Sequence, residues 1–228
     1  ATDPNTQIKA EDVIGSGPFI FARDQWKPGE KTVYLKNPKY KPRSEPASGL
    51  AGGKVAKIDR VEWLWIPDAQ TQVGALQNGE IDMIEAPSHD LLPLLAKDKN
   101  IKLFNGNPTG NQYTFRFNST AKPFDNPKVR HAVFVAFGQE DFLKATIGDP
   151  AYFKVCKAPF VCGTPLASDA GMADVLNANA AKAKQLLTEA GYDGTPIVLM
   201  HSTDLPVLTN LGPVAKSLME RAGFKVDM

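Results

Sequence analysis

Gly15-Ser16-Gly17, set among apolar residues in "VIGSGPFIF" (13–21), is the first spacing along the chain that could do chemistry, because glycine pairs of this kind cradle phosphates. A dinucleotide loop needs a strand before Gly-x-Gly-x-x-Gly and a helix after it, so that the helix N-terminus faces the pyrophosphate. Here the third glycine is missing, Pro18 and a strand-like run follow, and no Gly-Lys-Ser/Thr is near. The glycines read instead as a tight entry into a hairpin, with Pro18 fixing one dihedral. His89, His131 and His201 fall in three different elements with no metal spacing, and His131 beside Arg130 on a helix reads as a surface or interface residue. Gly-x-Ser-x-Gly is absent. Glu80 and Asp82 follow a turn and read as solvated charges rather than an acid–base pair. Trp63 and Trp65, two apart on a strand, read as core packing rather than a stacking platform. No catalytic residue, metal set or cofactor is therefore assigned.

Cys156 and Cys162 in "CKAPFVC" are the remaining reactive pair. An even count at short separation, in a loop-like stretch holding Pro159, fits a small disulfide loop and hence an oxidising compartment. Two reduced cysteines lining a core are the alternative. A redox motif would want Cys-x-x-Cys, and a zinc site further ligands nearby.

The elements that must position these residues belong to an ordinary soluble composition. Of 228 residues, 43% are hydrophobic and 22% charged, and 26 basic against 25 acidic side chains leave a net charge of +1. That balance supplies no global field for nucleic acid or an anionic membrane, and no apolar run is long enough to span one. The start, "ATDPNTQIKAEDV", and the end, "GFKVDM", read as the middle of a longer protein. Residues 18–36 read as a β-hairpin with a Pro-Gly loop, 37–54 as a long exposed loop, and 57–66 as a strand. Asp68 caps a helix to about Gln77, stopped at Asn78-Gly79. "IDMIE" then reads as a short buried strand, "SHDLLPLLAKDKN" as a helix capped by Ser88, "IKLFNG" as a strand, and "NQYTFRFNST" (111–120) as a strand by alternation of Tyr113, Phe115 and Phe117. A helix capped at Asp125 or Asn126 carries Val129, Ala132, Val133 and Ala136 as its apolar stripe. A further helix ends at Gly148, and a loop, 149–178, carries the cysteines. An Ala-rich helix stopped by Gly191, a buried strand "TPIVLMHST", an amphipathic helix broken at a proline, and the strand "FKVDM" complete the chain. Alternation of this kind predicts an α/β layer with a parallel or mixed sheet.

In this order the segments resemble a family. "GSGPFIFARDQWKPGEKTVYLKNPKY" resembles the Gly-Thr-Gly-Pro-Tyr/Phe hairpin and Leu-x-Arg-Asn-Pro-x-Tyr of solute-binding proteins of the dipeptide/oligopeptide class, extracellular family 5. "VGALQNGEIDMIEAP" is similar to its Ala-Leu-x-x-Gly-Glu-Ile-Asp. "FRFNSTAKPFDNPKVRHAVFVAFGQEDFLK" is similar to its Phe-Asn-x-x-x-x-Pro-Phe-Asp-Asp-x-x-Val-Arg-Gln-Ala, and "AKAKQLLTEAGYDG" to its Ala-Lys-x-Leu-Leu-x-Glu-Ala-Gly-Tyr. Two departures stand out: His131 replaces the usual Gln, and Gln139 stands where Asp or Asn usually begins the next helix.

The resemblance implies a periplasmic-binding-protein-like (type II) two-lobe α/β architecture, incomplete at both ends, with 1–118 as part of lobe I and 119–228 as the first part of the second lobe. It implies a non-catalytic component of an ABC importer, periplasmic or extracellular, lipid-anchored or soluble. Such a protein is a monomer that holds a small solute of the peptide kind and hands it to a membrane permease, with no nucleic acid and no cofactor. An oligopeptide, dipeptide, metal chelate, opine or sugar all fit the class. An α/β hydrolase or metal-dependent enzyme is the alternative, and it lacks a visible nucleophile or ligand set. Candidate ligand contacts are Asn111, Gln112 and Tyr113 on the strand expected to link the lobes, with packing of Tyr113 in the sheet as the alternative. Ala86 and Pro87 after "IDMIE" are candidates because ligand-facing loops follow strand ends. His201, Thr203 and Asp204 after the later strand are further candidates, with helix capping by Thr203 or Asp204 as the alternative, and Phe160 is placed on an apolar wall. The family's charge anchors for peptide termini do not transfer to residues of this chain.

Overall fold

The computed structural model describes Lys9 and residues 14–228, so the stretch before Ile14, Lys9 apart, lies outside the described residues. The chain divides into two compact units, one ending at Ile81 and one running Asp82–Met228.

In the first unit, β1 (Phe19–Phe21), β2 (Lys31–Lys36) and β3 (Arg60–Leu64) form an antiparallel sheet in the order β1-β2-β3. Phe19 lies opposite Lys36, and Val33 opposite Glu62. The expected hairpin is present, and Gly29 takes its turn with φ 74°. Val33 is fully buried, whereas Trp63 and Trp65 stay 48% and 65% exposed. The packing expected of the two tryptophans is thus not made among the described residues of this unit, where Trp63 on β3 and Trp65 just beyond it both keep large exposed areas.

α1 (Ala69–Gln77) follows, and its start is where the sequence places it. The Asp68 carboxylate accepts from the Thr71 N–H at 2.7 Å and from the Thr71 hydroxyl at 2.7 Å, and Gly79 closes the far end with φ 73°. The Thr71 side chain, then its backbone N–H, hold the Asp68 carboxyl below the ordinary aspartate value of 3.8. A lowered folded value means that this cap stabilises the fold above pH 3.8 and is lost as pH falls through the folded value. Asp68→Asn keeps an accepting oxygen without titrating. Thermal melts of the variant between pH 5 and pH 3 are therefore expected to fall less steeply than those of the parent; superimposable slopes would remove the carboxylate from this role.

Beyond α1, three of the expected strands are not strands. "IDMIE", "IKLFNG" and "NQYTFRFN" carry no ladder to any neighbour among the described residues. Alternation shows which side chains turn the same way, but a strand exists only when its backbone pairs with another. The alternation itself survives at 111–118. Phe115 and Phe117 turn onto the core, 5.1 Å from Phe137 and 4.9 Å from Phe124 between ring centres respectively. The helix expected from Ser88 is reduced to a 3-10 turn (His89–Leu91) and α2 (Leu92–Leu95), and Ser88 makes no side-chain cap.

The core is helical. α3 (Pro127–Ala136) starts at Asn126, whose side chain accepts from the Lys128 N–H, and buries Val129, Ala132, Val133 and Ala136 as its stripe predicts. α5 (Ala180–Glu189) packs Ala183 and Leu187 against it, and α7 (Leu211–Arg221) adds Ala215, Leu218 and Met219. α4 (Gln139–Thr146) precedes the cysteine loop, and α6 (Pro206–Thr209) is split from α7 at Asn210 rather than at a proline. Pro206 opens α6, and Pro213 sits in the first turn of α7, where its missing N–H costs no helical bond. β4 (Ile197–Val198) and β5 (Val226–Asp227) pair in parallel across α6 and α7. β4 is only half buried: Ile197 faces the core, and Val198 is 74% exposed.

Candidate functional site

Most of the predicted ligand contacts lie on three non-helical segments of the second unit. Ala86 is exposed and Pro87 half-buried, just before the turn that carries His89. The His89 ring lies edge-on to Tyr152, 5.8 Å between centres, which joins this segment to the 3-10 turn Pro150–Tyr152 leading into the cysteine loop. Asn111 accepts from Asn107 Nδ2 at 3.0 Å. Gln112 Nε2 donates to the Ala158 carbonyl at 3.4 Å, so the second segment reaches the cysteine loop directly. Tyr113 is 38% exposed, between the packed and the solvated condition.

The loop itself is closed by a Cys156–Cys162 disulfide, with the Cα atoms 5.8 Å apart. Of the two readings open in the sequence, the covalent one holds. Ala158 within the loop is buried, and Phe160 two residues on is 57% exposed.

His201, Thr203 and Asp204 form a separate group beyond β4. His201 Nδ1 is buried without a hydrogen-bond partner, and the root of its side chain lies against Gly212 at the start of α7. Thr203 and Asp204 are exposed. Neither caps α6: the Ser202 hydroxyl takes the Leu205 N–H at 3.3 Å and donates to Asp204 Oδ1 at 2.6 Å. That hydroxyl holds the Asp204 carboxyl below its ordinary value, so Asp204 presents a negative charge at neutral pH. Two surface grooves of about 300 and 310 Å³, one lined by Asp141, Val214 and Arg221 and the other by Lys122, Tyr192 and Asp193, include none of the nine candidates. Among the described residues no three His, Cys, Asp or Glu side chains group as metal ligands.

The position that sequence reasoning did not assign is Gln139. Its carboxamide meets both backbone groups of Cys156, at 2.9 Å and 2.7 Å. The signal available was its departure from the Asp or Asn usual at that point.

The profile of the bacterial extracellular solute-binding proteins, family 5 (middle), matches residues 1–228. The chain belongs to that family. This family 5 chain is 40% identical over 228 residues to a "Probable peptide ABC transporter periplasmic-binding protein" of Sinorhizobium fredii, covering 99% of the chain and 43% of that protein. It is 30% identical over 179 residues to the glutathione-binding protein GsiB of Escherichia coli K12, covering 78% of the chain and 31% of that protein. It superposes on the DppA periplasmic binding protein of Helicobacter pylori, solved with the peptide STSA, with a TM-score of 0.67, 26% identity, and coverage of 93% and 38%. The AgaA protein of A. tumefaciens R10, solved with agropinic acid, shares the fold at a TM-score of 0.70 and 23% identity, with coverage of 92% and 40%. The family 5 chain thus spans less than half the length of these relatives. No helix among its described residues is long and apolar enough to cross a membrane.

Proposed function

We propose that this chain serves in the solute-binding component of an ABC importer, periplasmic or extracellular, that captures peptides between two lobes and delivers them to a membrane permease. The observation that carries the reading is the 40% identity, along almost the whole chain, to a relative named for peptide transport. Residues 1–118 contribute to lobe I and 119–228 to the second lobe. The protein acts as a monomer and without catalysis: differential affinity for a closed state drives closure, and the closed state is what the permease reads. Asn111, Gln112, Tyr113 and Phe160 meet the ligand, with Ala86 and Pro87 at the margin and His201, Thr203 and Asp204 contributing from beyond β4.

A thermal-shift series against di- to tetrapeptides, opines and nickel–histidine tests this. Ligand at a hundred times its Kd stabilises by about 2.7 kcal/mol, which is a rise of roughly 5–10 °C at about 2–4 °C per kcal/mol. A rise with peptides is the expected result. No shift with any peptide, beside a large shift with an opine or nickel–histidine, transfers the site to that class, and cleavage of a bound peptide would overturn the non-catalytic reading.

A further inference from the structure

Gln139 is the first residue of α4, yet its side chain serves the loop seventeen residues on rather than the helix. Nε2 donates to the Cys156 carbonyl at 2.9 Å, and the Cys156 N–H donates to Oε1 at 2.7 Å. One planar group thus pairs with both backbone groups of one residue, as a neighbouring strand would. Among the side chains, this needs a donor and an acceptor on one amide: Glu lacks the donor, and Asn lacks one methylene of reach.

Cys156 is also one foot of the disulfide, so the amide and the S–S bond secure the same point. Next along, Lys157 Nζ bonds to Asn177, whose own Nδ2 donates to the Ala173 carbonyl at 2.8 Å, and Gln112 reaches the Ala158 carbonyl. Asn177 in turn sits in a strap bound to the end of α3: Leu176 N–H donates to Phe134 O at 2.8 Å, and Ala178 N–H to Phe137 O at 2.9 Å. Three elements of the unit therefore hold the base of the loop at 156–158, and Val161 O is tied to the Thr164 hydroxyl at 2.7 Å. Between these ties Phe160 stands more than half exposed. A slack loop would fold such a ring down to remove apolar area from water. A loop held on both sides keeps it out, where a ligand group can cover it without an ordering cost at binding.

We propose that Gln139 and the Cys156–Cys162 disulfide preform the 156–162 loop as a rigid lip, and that Phe160 on this lip selects ligands bearing an aromatic or large apolar side chain. Gln139 is the positioning residue and Phe160 the contact. The inference rests on the peptide-binding reading above.

The test is a selectivity ratio measured on the intact protein by titration calorimetry with Ala-Ala-Ala, Phe-Ala-Ala, Ala-Phe-Ala and Ala-Ala-Phe. The parent is expected to prefer one phenylalanine peptide over Ala-Ala-Ala by roughly 10-fold or more, the scale on which an apolar pocket discriminates. Phe160→Ala is expected to bring that ratio near one, the phenylalanine peptide losing roughly 10-fold more affinity than Ala-Ala-Ala. Gln139→Glu, and Cys156→Ser with Cys162→Ser, are expected to lower the ratio with Phe160 intact. A role confined to stability would weaken all four peptides together and leave the ratio alone. An unchanged ratio in Phe160→Ala, or a parent that binds all four equally, overturns the proposal and leaves the peptide reading standing. Failure of the parent to bind any of the four overturns the proposal, and overturns the peptide reading with it only when the di- to tetrapeptide thermal-shift series is also without a shift.

Discussion

Replacing Met219 with alanine is expected to lower the stability of the second unit by about 2–5 kcal/mol, the cost of removing a large buried side chain and leaving part of its volume empty. Met219 is fully buried on α7, in one cluster with Val133 and Ala136 of α3, Ala183 and Leu187 of α5, and Phe224 and Val226 beyond the helix. Its backbone carbonyl also accepts from the Ala222 and Phe224 N–H groups, which fixes the turn into β5. The side chain therefore lies where three helices and the parallel pair meet, and no single neighbour can move in without disturbing another. Met219→Leu, close in volume, is expected to cost less than about 1.5 kcal/mol. Guanidinium titrations of the three proteins measure both values through the midpoint at constant slope. An alanine variant within about 1 kcal/mol of the parent would mean that the cluster collapses around the gap, and that the helices are not packed as one core.

The helices of both units were legible for a local reason. Asp68 and Asn126 cap from within their own turns, Gly79, Gly148 and Gly191 stop the chain with positive φ, and the stripe on α3 repeats at the helical period. Each signal is complete within about ten residues. The strands failed where the decisive partner was distant: the pattern of "NQYTFRFN" is real at Phe115 and Phe117, but pairing depends on another backbone. The candidate site divides in the same way. A cysteine pair six apart announces itself by spacing, and Phe160 by standing between its members. Gln139 does not, because a carboxamide has no preferred role until a backbone is brought to it, and here that backbone is held by a disulfide and by a strap at 176–179. For His201 the residue type was readable and its direction was not. Nothing in "MHSTD" indicates that one ring nitrogen is turned inward against a helix.

That direction carries the last prediction. Gly212 is the second residue of α7, where alanine would ordinarily favour the helix by about 0.5–1 kcal/mol. A Cβ at this position would lie 2.6 Å from His201 Cγ, 2.7 Å from its Cβ and 2.9 Å from Nδ1. These atoms are at the root of the side chain, so the imidazole cannot swing clear and the loop after β4 must shift instead. Overpacking of that kind costs about 1–3 kcal/mol, which exceeds the helical gain, so Gly212→Ala is expected to destabilise. Removing the obstacle reverses the sign: in a His201→Gly background, the same Gly212→Ala change is expected to stabilise by the helical gain of about 0.5–1 kcal/mol. The helical gain is common to both backgrounds and cancels, so the double-mutant cycle reports the overpacking term itself, a coupling of roughly 1–3 kcal/mol between two residues eleven apart, read from denaturation midpoints of the four proteins. A coupling near zero would show that His201 does not rest on Gly212, and the ring would then be free to turn both nitrogens toward a solute. A coupling of the expected size pins the imidazole with Nδ1 inward, so that whatever His201 offers a ligand must come from the opposite edge of the ring.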